Sequence, residues 1–185
     1  FWCQTEHLEA QHIFVRYFQG VFRSHEEVVV MSPDIGGVKR AELFRDKLAR
    51  GLSEDIGFAF MEKLRSKGIV SGEAVVGDVS GKYVIILDDL ISSGTTMARA
   101  AAACVKVGAK GVYAVATHGT FSDYANDALK EKALLNVVVT NTVQNGRLCG
   151  STNEKLVVLD VAPLFAETIS RLHASGSLVS LMDIE

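Results

Sequence analysis

Two neighbouring carboxylates mark the part of the chain whose residue types and spacing could do chemistry. Asp88 and Asp89 end an apolar run, and Ser-Ser-Gly-Thr-Thr follows at 92–96 before a predicted helix. A helix N-terminus offers unpaired N–H groups and a partial positive charge, which suit a phosphate monoester. The carboxylates would repel a phosphate, so they suit vicinal sugar hydroxyls or a magnesium ion held with them.

The two halves of this segment together describe one ligand. A phosphate with a cis-diol nearby is a ribose 5-phosphate group. Gly94 permits a tight turn with backbone amides pointing inward, and the hydroxyls add donors. The same pattern is also typical of an ordinary helix cap after a solvated strand end. The candidate residues for ribose 5-phosphate binding are Asp88, Asp89, Ser92, Ser93, Gly94, Thr95 and Thr96.

Short apolar runs that alternate with helical periodicity must position these residues. Predicted strands lie at 28–31, 58–61, 74–76, 83–87, 111–117, 136–140 and 156–159, and predicted helices at 9–21, 38–50, 96–107, 122–132 and 162–174. Apolar strands alternating with helices predict an α/β fold, with a mostly parallel central sheet flanked by helices. Such sheets bind ligands at the carboxyl ends of their strands, where loops 32–38, 87–97 and 117–123 fall.

Composition is typical of a single-domain globular protein. The chain has 185 residues, 48% of them hydrophobic, and a formal net charge of −3. Like charges form no blocks, so we expect no nucleic-acid partner. No apolar run reaches the roughly 18 residues of a transmembrane helix, so we expect no membrane partner. Cys3, Cys104 and Cys149 lack metal-site spacing, which favours a reduced protein in the cytoplasm.

The acidic run and its loop resemble the phosphoribosyl-binding motif of the type I phosphoribosyltransferase superfamily. That motif has four apolar residues, two acidic ones and a loop ending in Gly and Thr, as residues 84–96 do. Other segments resemble one family in particular, the phosphoribosyl diphosphate synthetases (ribose-phosphate diphosphokinases). Residues 29–41 resemble its diphosphate loop, and residues 61–65 resemble its flexible catalytic loop. The resemblance covers nearly the whole chain through further matches at 77–82, 108–122, 139–142 and 159–169.

The resemblance implies a type I phosphoribosyltransferase-like fold and a defined reaction. The family uses Mg²⁺ and transfers the diphosphoryl group of ATP to ribose 5-phosphate, releasing AMP. Lys63 and Arg65 match its catalytic pair, on a loop expected to close as a lid; a solvated basic loop is the alternative. Asp34 matches a magnesium-associated position. With Gly36 and Gly37 it forms the expected diphosphate-binding loop, although a plain turn has the same composition.

The chain departs from the family pattern at a few positions. Ser92 stands where the family commonly has an acidic residue, and Thr95 stands where it has glycine. We expect the backbone cradle to persist and ligand selectivity to change. Leu64 replaces a middle arginine, while both matched catalytic residues remain. The resemblance gives His118 no catalytic part, which favours a structural or solvent-facing histidine.

Synthetases of this family have two similar halves, and the chain resembles the second. Residues 1–185 are therefore predicted to form one phosphoribosyltransferase-type domain without the adenine-recognising amino-terminal half, so the isolated chain can be inactive. The start at Phe1 favours a fragment or a short homologue. The family forms dimers and hexamers, so we expect a homo-oligomer. Two other functions stay open: a phosphoribosyltransferase acting on a nucleobase, and an inactive regulatory subunit of a synthetase.

Overall fold

The computed structural model describes residues 2, 3, 5–66, 69–144 and 147–182, without the side chains of 63–66, 69–73, 180 and 182. A seven-stranded sheet forms its centre, in the order β3-β2-β1-β4-β5-β6-β7. The strands are β1 Val28–Ser32, β2 Gly57–Ser66, β3 Ile69–Val76, β4 Tyr83–Ile91, β5 Gly111–Gly119, β6 Leu134–Thr140 and β7 Leu156–Leu159. The helices are α1 Gln11–Val21, α2 Val38–Leu52, α3 Thr95–Lys106, α4 Ala125–Ala128, α5 Gly150–Glu154, α6 Ala162–His173 and α7 Val179–Met182.

The sheet is mostly parallel, which confirms the predicted α/β fold. Strands β2, β1, β4, β5, β6 and β7 run in one direction, and β3 alone among the described strands is antiparallel. From β1 the chain moves to β2 on one side, and β4 then pairs with the other side of β1. The strand order therefore reverses between β1 and β4. Open sheets of this kind bind ligands at such a reversal.

The apolar character of the central strands follows from their burial on both faces. All five residues of β1 are buried, and so are Val84 to Leu87 of β4. One face is covered by α3, which buries Met97, Ala100, Ala101 and Cys104. The other face is covered by α1 and α2. Helix α2 buries Ala41, Phe44 and Leu48, one face of the 3.6-residue period.

Several predicted boundaries are wrong, and each has a local reason. Strand β4 continues through Asp88 and Asp89 to Ile91, because β5 pairs with it as far as Gly119. The helix predicted over 122–132 is reduced to α4. Backbone N–H groups of residues 120–122 bind the carbonyls of residues 91 and 92, which holds the segment beside β4 instead of in a helix.

The segment predicted as a loop around residues 62–72 mostly continues two strands. Strand β2 runs on to Ser66, and β3 begins at Ile69 and pairs with it antiparallel. Strand β2 pairs with β1 only from Gly57 to Phe60, so the rest of this hairpin projects past the carboxyl end of β1. No helix in the described part of the chain has the length and apolar character needed to cross a bilayer.

Candidate active site

The candidate residues lie at the carboxyl edge of the sheet, where β1 and β4 are neighbours. Met31 of β1 pairs with Ile86 of β4. β1 ends at Ser32, one residue beyond this pair, and the loop of residues 33–37 follows; Asp88 lies two residues beyond Ile86 on β4. Predicted diphosphate and ribose residues that are far apart in the sequence therefore lie at one edge because the sheet is parallel there.

The loop after β1 is a compact turn held by its own side chains. The Ser32 hydroxyl donates a hydrogen bond to the Asp34 carbonyl oxygen at 2.6 Å. Asp34 Oδ1 accepts one from the Gly37 N–H at 2.9 Å. A Cβ atom on Gly37 would lie 2.6 Å from Ser32 Oγ, so a side chain there would displace this bond. The loop therefore requires glycine at position 37 for space.

The first turn of α2 adds positive charge directly after this loop. It contains Lys39 and Arg40 and no acidic residue. Cations at a helix N-terminus add to the positive end of the helix dipole, which is unfavourable for the helix and favourable for a bound anion. The carboxyl end of β1 is thus suited to an anion, and the diphosphate loop that the resemblance implies at residues 34–37 stays a prediction.

Asp34 has the chemistry expected of a magnesium ligand at a phosphate site. Its side chain is exposed, and no cation lies within ion-pair distance of it among the described side chains. No group of three metal-ligating side chains occurs in the described residues. Mg²⁺ at phosphates takes one or two carboxylates and completes its shell with water and phosphate oxygens, so a single Asp34 carboxylate fits it.

The two carboxylates on β4 share one arginine. Arg40 Nη1 donates to Asp88 Oδ1 at 2.7 Å, and Arg40 Nη2 donates to Asp89 Oδ2 at 3.1 Å. Asp88 Oδ1 also accepts the Asp89 backbone N–H at 2.9 Å. The side chain of Asp88 is 25% exposed and that of Asp89 is 66% exposed. The less exposed carboxylate is therefore the better satisfied one.

Burial sets the electrostatic state of Asp88. Desolvation raises the pKa of its carboxyl above the ordinary value, and the neighbouring Asp89 carboxylate contributes in the same direction. The Asp89 N–H and the Arg40 guanidinium favour the charged form, but they do not cancel the effect of burial.

The sequence analysis did not single out Arg40. The signal that could have found it is a basic residue three positions after the Gly36-Gly37 pair.

The loop between β4 and α3, the predicted phosphate loop, turns at a left-handed glycine. Gly94 has a φ of 72°, and a Cβ there would lie 2.7 Å from Leu129 Cδ2. The Ser93 hydroxyl donates to Thr95 Oγ1 at 3.1 Å and accepts the Thr95 N–H at 3.4 Å. Helix α3 starts at Thr95, one residue before the prediction, and its first turn has no acidic residue. Exposed hydroxyl residues at its start are Ser92, Thr95 and Thr96.

The predicted catalytic pair is only partly described. The backbones of Lys63 and Arg65 lie in the projecting part of β2, opposite Glu73 and Val70 of β3. Their side chains lie outside the described residues, so their part in the site stays a prediction. Because β2 is the neighbour of β1, this hairpin extends from the same edge as the other candidate residues.

His118 lies near this edge at the end of β5. Its Nδ1 is 2.8 Å from Thr142 Oγ1, which in turn donates to the Thr117 carbonyl at 3.2 Å. The imidazole is exposed and anchored to the end of β6 through the threonine. This contact fits the structural part expected of His118.

Comparison with known proteins gives consistent matches over most of the chain. The family model of the phosphoribosyl synthetase-associated domain matches residues 60–183. A ribose-phosphate pyrophosphokinase of Clostridium acetobutylicum is 39% identical over 171 residues, which are 91% of this chain and 51% of that protein. A chloroplastic ribose-phosphate pyrophosphokinase of Arabidopsis thaliana is 35% identical over 96% of this chain and 43% of its own length.

A solved structure agrees with the sequence matches. The phosphoribosylpyrophosphate synthetase of Mycobacterium smegmatis superposes with a TM-score of 0.74 and 36% identity, covering 92% of this chain and 53% of that one. This chain thus spans about half the length of the relatives that it matches.

Proposed function

This chain belongs to the phosphoribosyl synthetase-associated domain family, and from that membership we propose that it is the ribose 5-phosphate-binding half of a ribose-phosphate pyrophosphokinase. The reaction moves the β,γ-diphosphoryl group of ATP to the anomeric hydroxyl of ribose 5-phosphate. The observation that carries the proposal is the convergence of two anion-suited helix N-termini and an acid pair where β1 meets β4. The names of the relatives support it.

Each element has a distinct part in binding. The start of α3 holds the 5-phosphate through backbone N–H groups and the hydroxyl residues 92–96. Asp88 and Asp89 accept hydrogen bonds from the ribose hydroxyls, because an ionised carboxylate only accepts. The glycines at 36 and 37 and the start of α2 receive the diphosphoryl group. The sugar is thereby held between its two phosphate sites, which lowers the entropic barrier of the transfer.

The chemistry of phosphoryl transfer requires positive charge around the transferring group. Little covalent work falls to the protein, since charge builds up on phosphate oxygens. We assign Lys63 and Arg65 to stabilise that charge from the β2–β3 hairpin, and Asp34 to help hold Mg²⁺. When bound, Mg²⁺ would neutralise charge on the phosphate oxygens.

The proposal extends to partners and surroundings. Recognition of the adenine of ATP is assigned to a second half, because the relatives are about twice as long as this chain. Residues 1–185 would then form one domain of a two-domain enzyme. A homo-oligomer, a dimer or a hexamer, is proposed as its assembly. The free thiols of Cys3 and Cys149 suit a reducing compartment such as the cytoplasm.

The test is product formation by the full-length parent protein. Incubation with ATP, Mg²⁺ and ribose 5-phosphate should release AMP and form phosphoribosyl diphosphate. Lys63→Ala should lower turnover by about 100-fold or more while ribose 5-phosphate still binds, as expected for a group that acts on the transition state. Lys132→Ala is the matched control, because Lys132 is an exposed lysine outside the site. It should retain wild-type turnover.

Other outcomes would point to the other functions. Absence of AMP at every protein concentration would reject the proposed synthesis. Release of diphosphate from phosphoribosyl diphosphate in the presence of a nucleobase would indicate a phosphoribosyltransferase. Calorimetry that detects no ribose 5-phosphate binding would indicate an inactive regulatory subunit.

A further inference from the structure

Arg40 links two parts of the site that come from separate segments. It lies in the first turn of α2, just after the loop that follows β1, and its side chain reaches the acid pair on β4. One guanidinium nitrogen binds Asp88 at 2.7 Å, and another binds Asp89 at 3.1 Å. A single residue therefore fixes two carboxylates that lie 48 and 49 positions away.

Helix stability does not account for this arginine. A cation at the N-terminus of a helix is disfavoured by the helix dipole. A side chain that is 36% exposed, as Arg40 is, can also extend its head into water. Instead it bridges two acidic residues, and the planar fork of guanidinium suits that task better than the point charge of lysine.

The arrangement leaves one oxygen of each carboxylate for a ligand. Arg40 occupies Asp88 Oδ1 and Asp89 Oδ2. Within the described residues, Asp88 Oδ2 and Asp89 Oδ1 accept no hydrogen bond. The two carboxylates also lie close to each other, and each keeps lone pairs that can accept a hydrogen bond from a sugar hydroxyl.

We propose that Arg40 is a positioning residue for the ribose: its guanidinium orients the Asp88 and Asp89 carboxylates so that their second oxygens accept hydrogen bonds from vicinal sugar hydroxyls. The inference rests on the proposed function, since it assumes a ribose 5-phosphate ligand. It adds that this recognition depends on a residue of α2 as well as on β4.

Charge supports the same arrangement. Two adjacent carboxylates would repel each other and an incoming anionic sugar phosphate, and Arg40 reduces their combined charge from −2 to −1. Its hydrogen bond also opposes the rise in the pKa of Asp88 that burial causes. Loss of the guanidinium should therefore favour protonation of Asp88 and release both carboxylates from their common orientation.

Calorimetry with two ligands can separate this effect from a general loss of charge. Ribose 5-phosphate needs both the α3 cradle and the carboxylates, whereas inorganic phosphate needs no carboxylate at either of the two helix N-termini. Arg40→Met should weaken ribose 5-phosphate binding by about tenfold or more, the equivalent of one charge-assisted hydrogen bond. It should weaken inorganic phosphate binding by less than about threefold, because exposed charges are screened.

Two further variants complete the design. Arg40→Lys keeps the charge but loses the fork, so its ribose 5-phosphate affinity should lie between those of wild type and Arg40→Met. Arg50→Met removes the same charge from an exposed position in the last turn of the same helix, and both affinities should stay at wild-type values. Circular dichroism melting checks that each variant is folded. Should Arg40→Met fail to fold, the lysine variant carries the test.

The outcomes distinguish the inference from the proposed function. A wild-type protein that does not bind ribose 5-phosphate overturns both. Wild-type binding that is unchanged in Arg40→Met, or unchanged in Arg40→Lys, overturns the positioning role alone. Tighter binding by Arg40→Met overturns it too, since Arg40 would then compete with the sugar for the carboxylates.

Discussion

Gly94 combines two constraints in one residue of the predicted phosphate cradle. Its φ of 72° is in the left-handed region, and an added Cβ would lie 2.7 Å from Leu129 Cδ2. Gly94→Ala should lower the free energy of unfolding by about 1–3 kcal/mol, since backbone strain and overpacking act together. Urea denaturation measures the loss, and calorimetry should show weaker binding of inorganic phosphate.

Gly20→Ala is the matched control for that substitution. Gly20 lies inside α1, and nothing lies within 4 Å of the Cβ that alanine would add. Alanine should therefore raise the free energy of unfolding by up to about 1 kcal/mol, because the unfolded chain loses freedom. Equal effects of the two substitutions would contradict the special geometry of Gly94.

Asp88 is expected to decrease stability at neutral pH while it serves binding. Burial raises the pKa of its carboxyl in the folded state, so the folded protein binds the proton more tightly than the unfolded chain. Stability then falls as pH rises from the ordinary aspartate pKa through the raised value. Asp88→Asn has no such loss. The free energy of unfolding of the variant, relative to wild type, should therefore rise with pH over that window and then level off.

Urea denaturation of both proteins across that pH range provides the measurement. Asp55→Asn, at an exposed position away from the site, should show no such growth. A free energy of unfolding of Asp88→Asn that falls relative to wild type with rising pH would show that the ion pair with Arg40 lowers the pKa of Asp88 by more than burial raises it. The expected trend is typical of binding sites, which give up stability for function.

Helix α2 follows the predicted diphosphate loop and carries Arg40, and one apolar stripe holds it against the sheet. Phe44 is fully buried in that stripe, and its ring meets Phe14 of α1 edge to face at 6.5 Å. Phe44→Ala should lower the free energy of unfolding by about 3–5 kcal/mol, because a large cavity replaces the ring. Leu43 is 48% exposed in the same turn, so Leu43→Ala should change it by only about 0.5 kcal/mol.

Both values come from urea denaturation. Comparable losses from the two variants would mean that α2 packs with a different face. That result would also question how α2 positions Arg40, because the helix face that contacts the sheet fixes the direction of every other side chain on the helix.

Packing of the whole molecule protects one of its three cysteines. Cys104 is fully buried between α3 and β1, with its Sγ 3.2 Å from Met31 Sδ, and burial raises the pKa of its thiol to about 12. Cys3 and Cys149 are exposed. Alkylation followed by mass spectrometry should modify Cys3 and Cys149 in the native protein, and Cys104 only in denaturant. Rapid native modification of Cys104 would mean that the sheet opens at low free energy.

Local patterns in the sequence located most elements. The apolar runs at 28–31 and 83–87 and the helices at 38–50 and 162–174 are confirmed within a few residues, and so is the helix that begins beside Gly94. These patterns are reliable because burial on two faces and helical periodicity act between residues close in sequence. The helix predicted over 122–132 was wrong, because backbone bonds to residues 91 and 92 override its local preference.

Residue type and local spacing predict an α/β fold, a loop suited to a phosphate and a pair of carboxylates, because these features depend on residues that are close in sequence. Strand order follows from packing across the whole fold, which makes β1 and β4 neighbours. That pairing brings Arg40 to Asp88 and Asp89. No local pattern predicts their contact, because packing among all the strands and helices selects which distant segments meet.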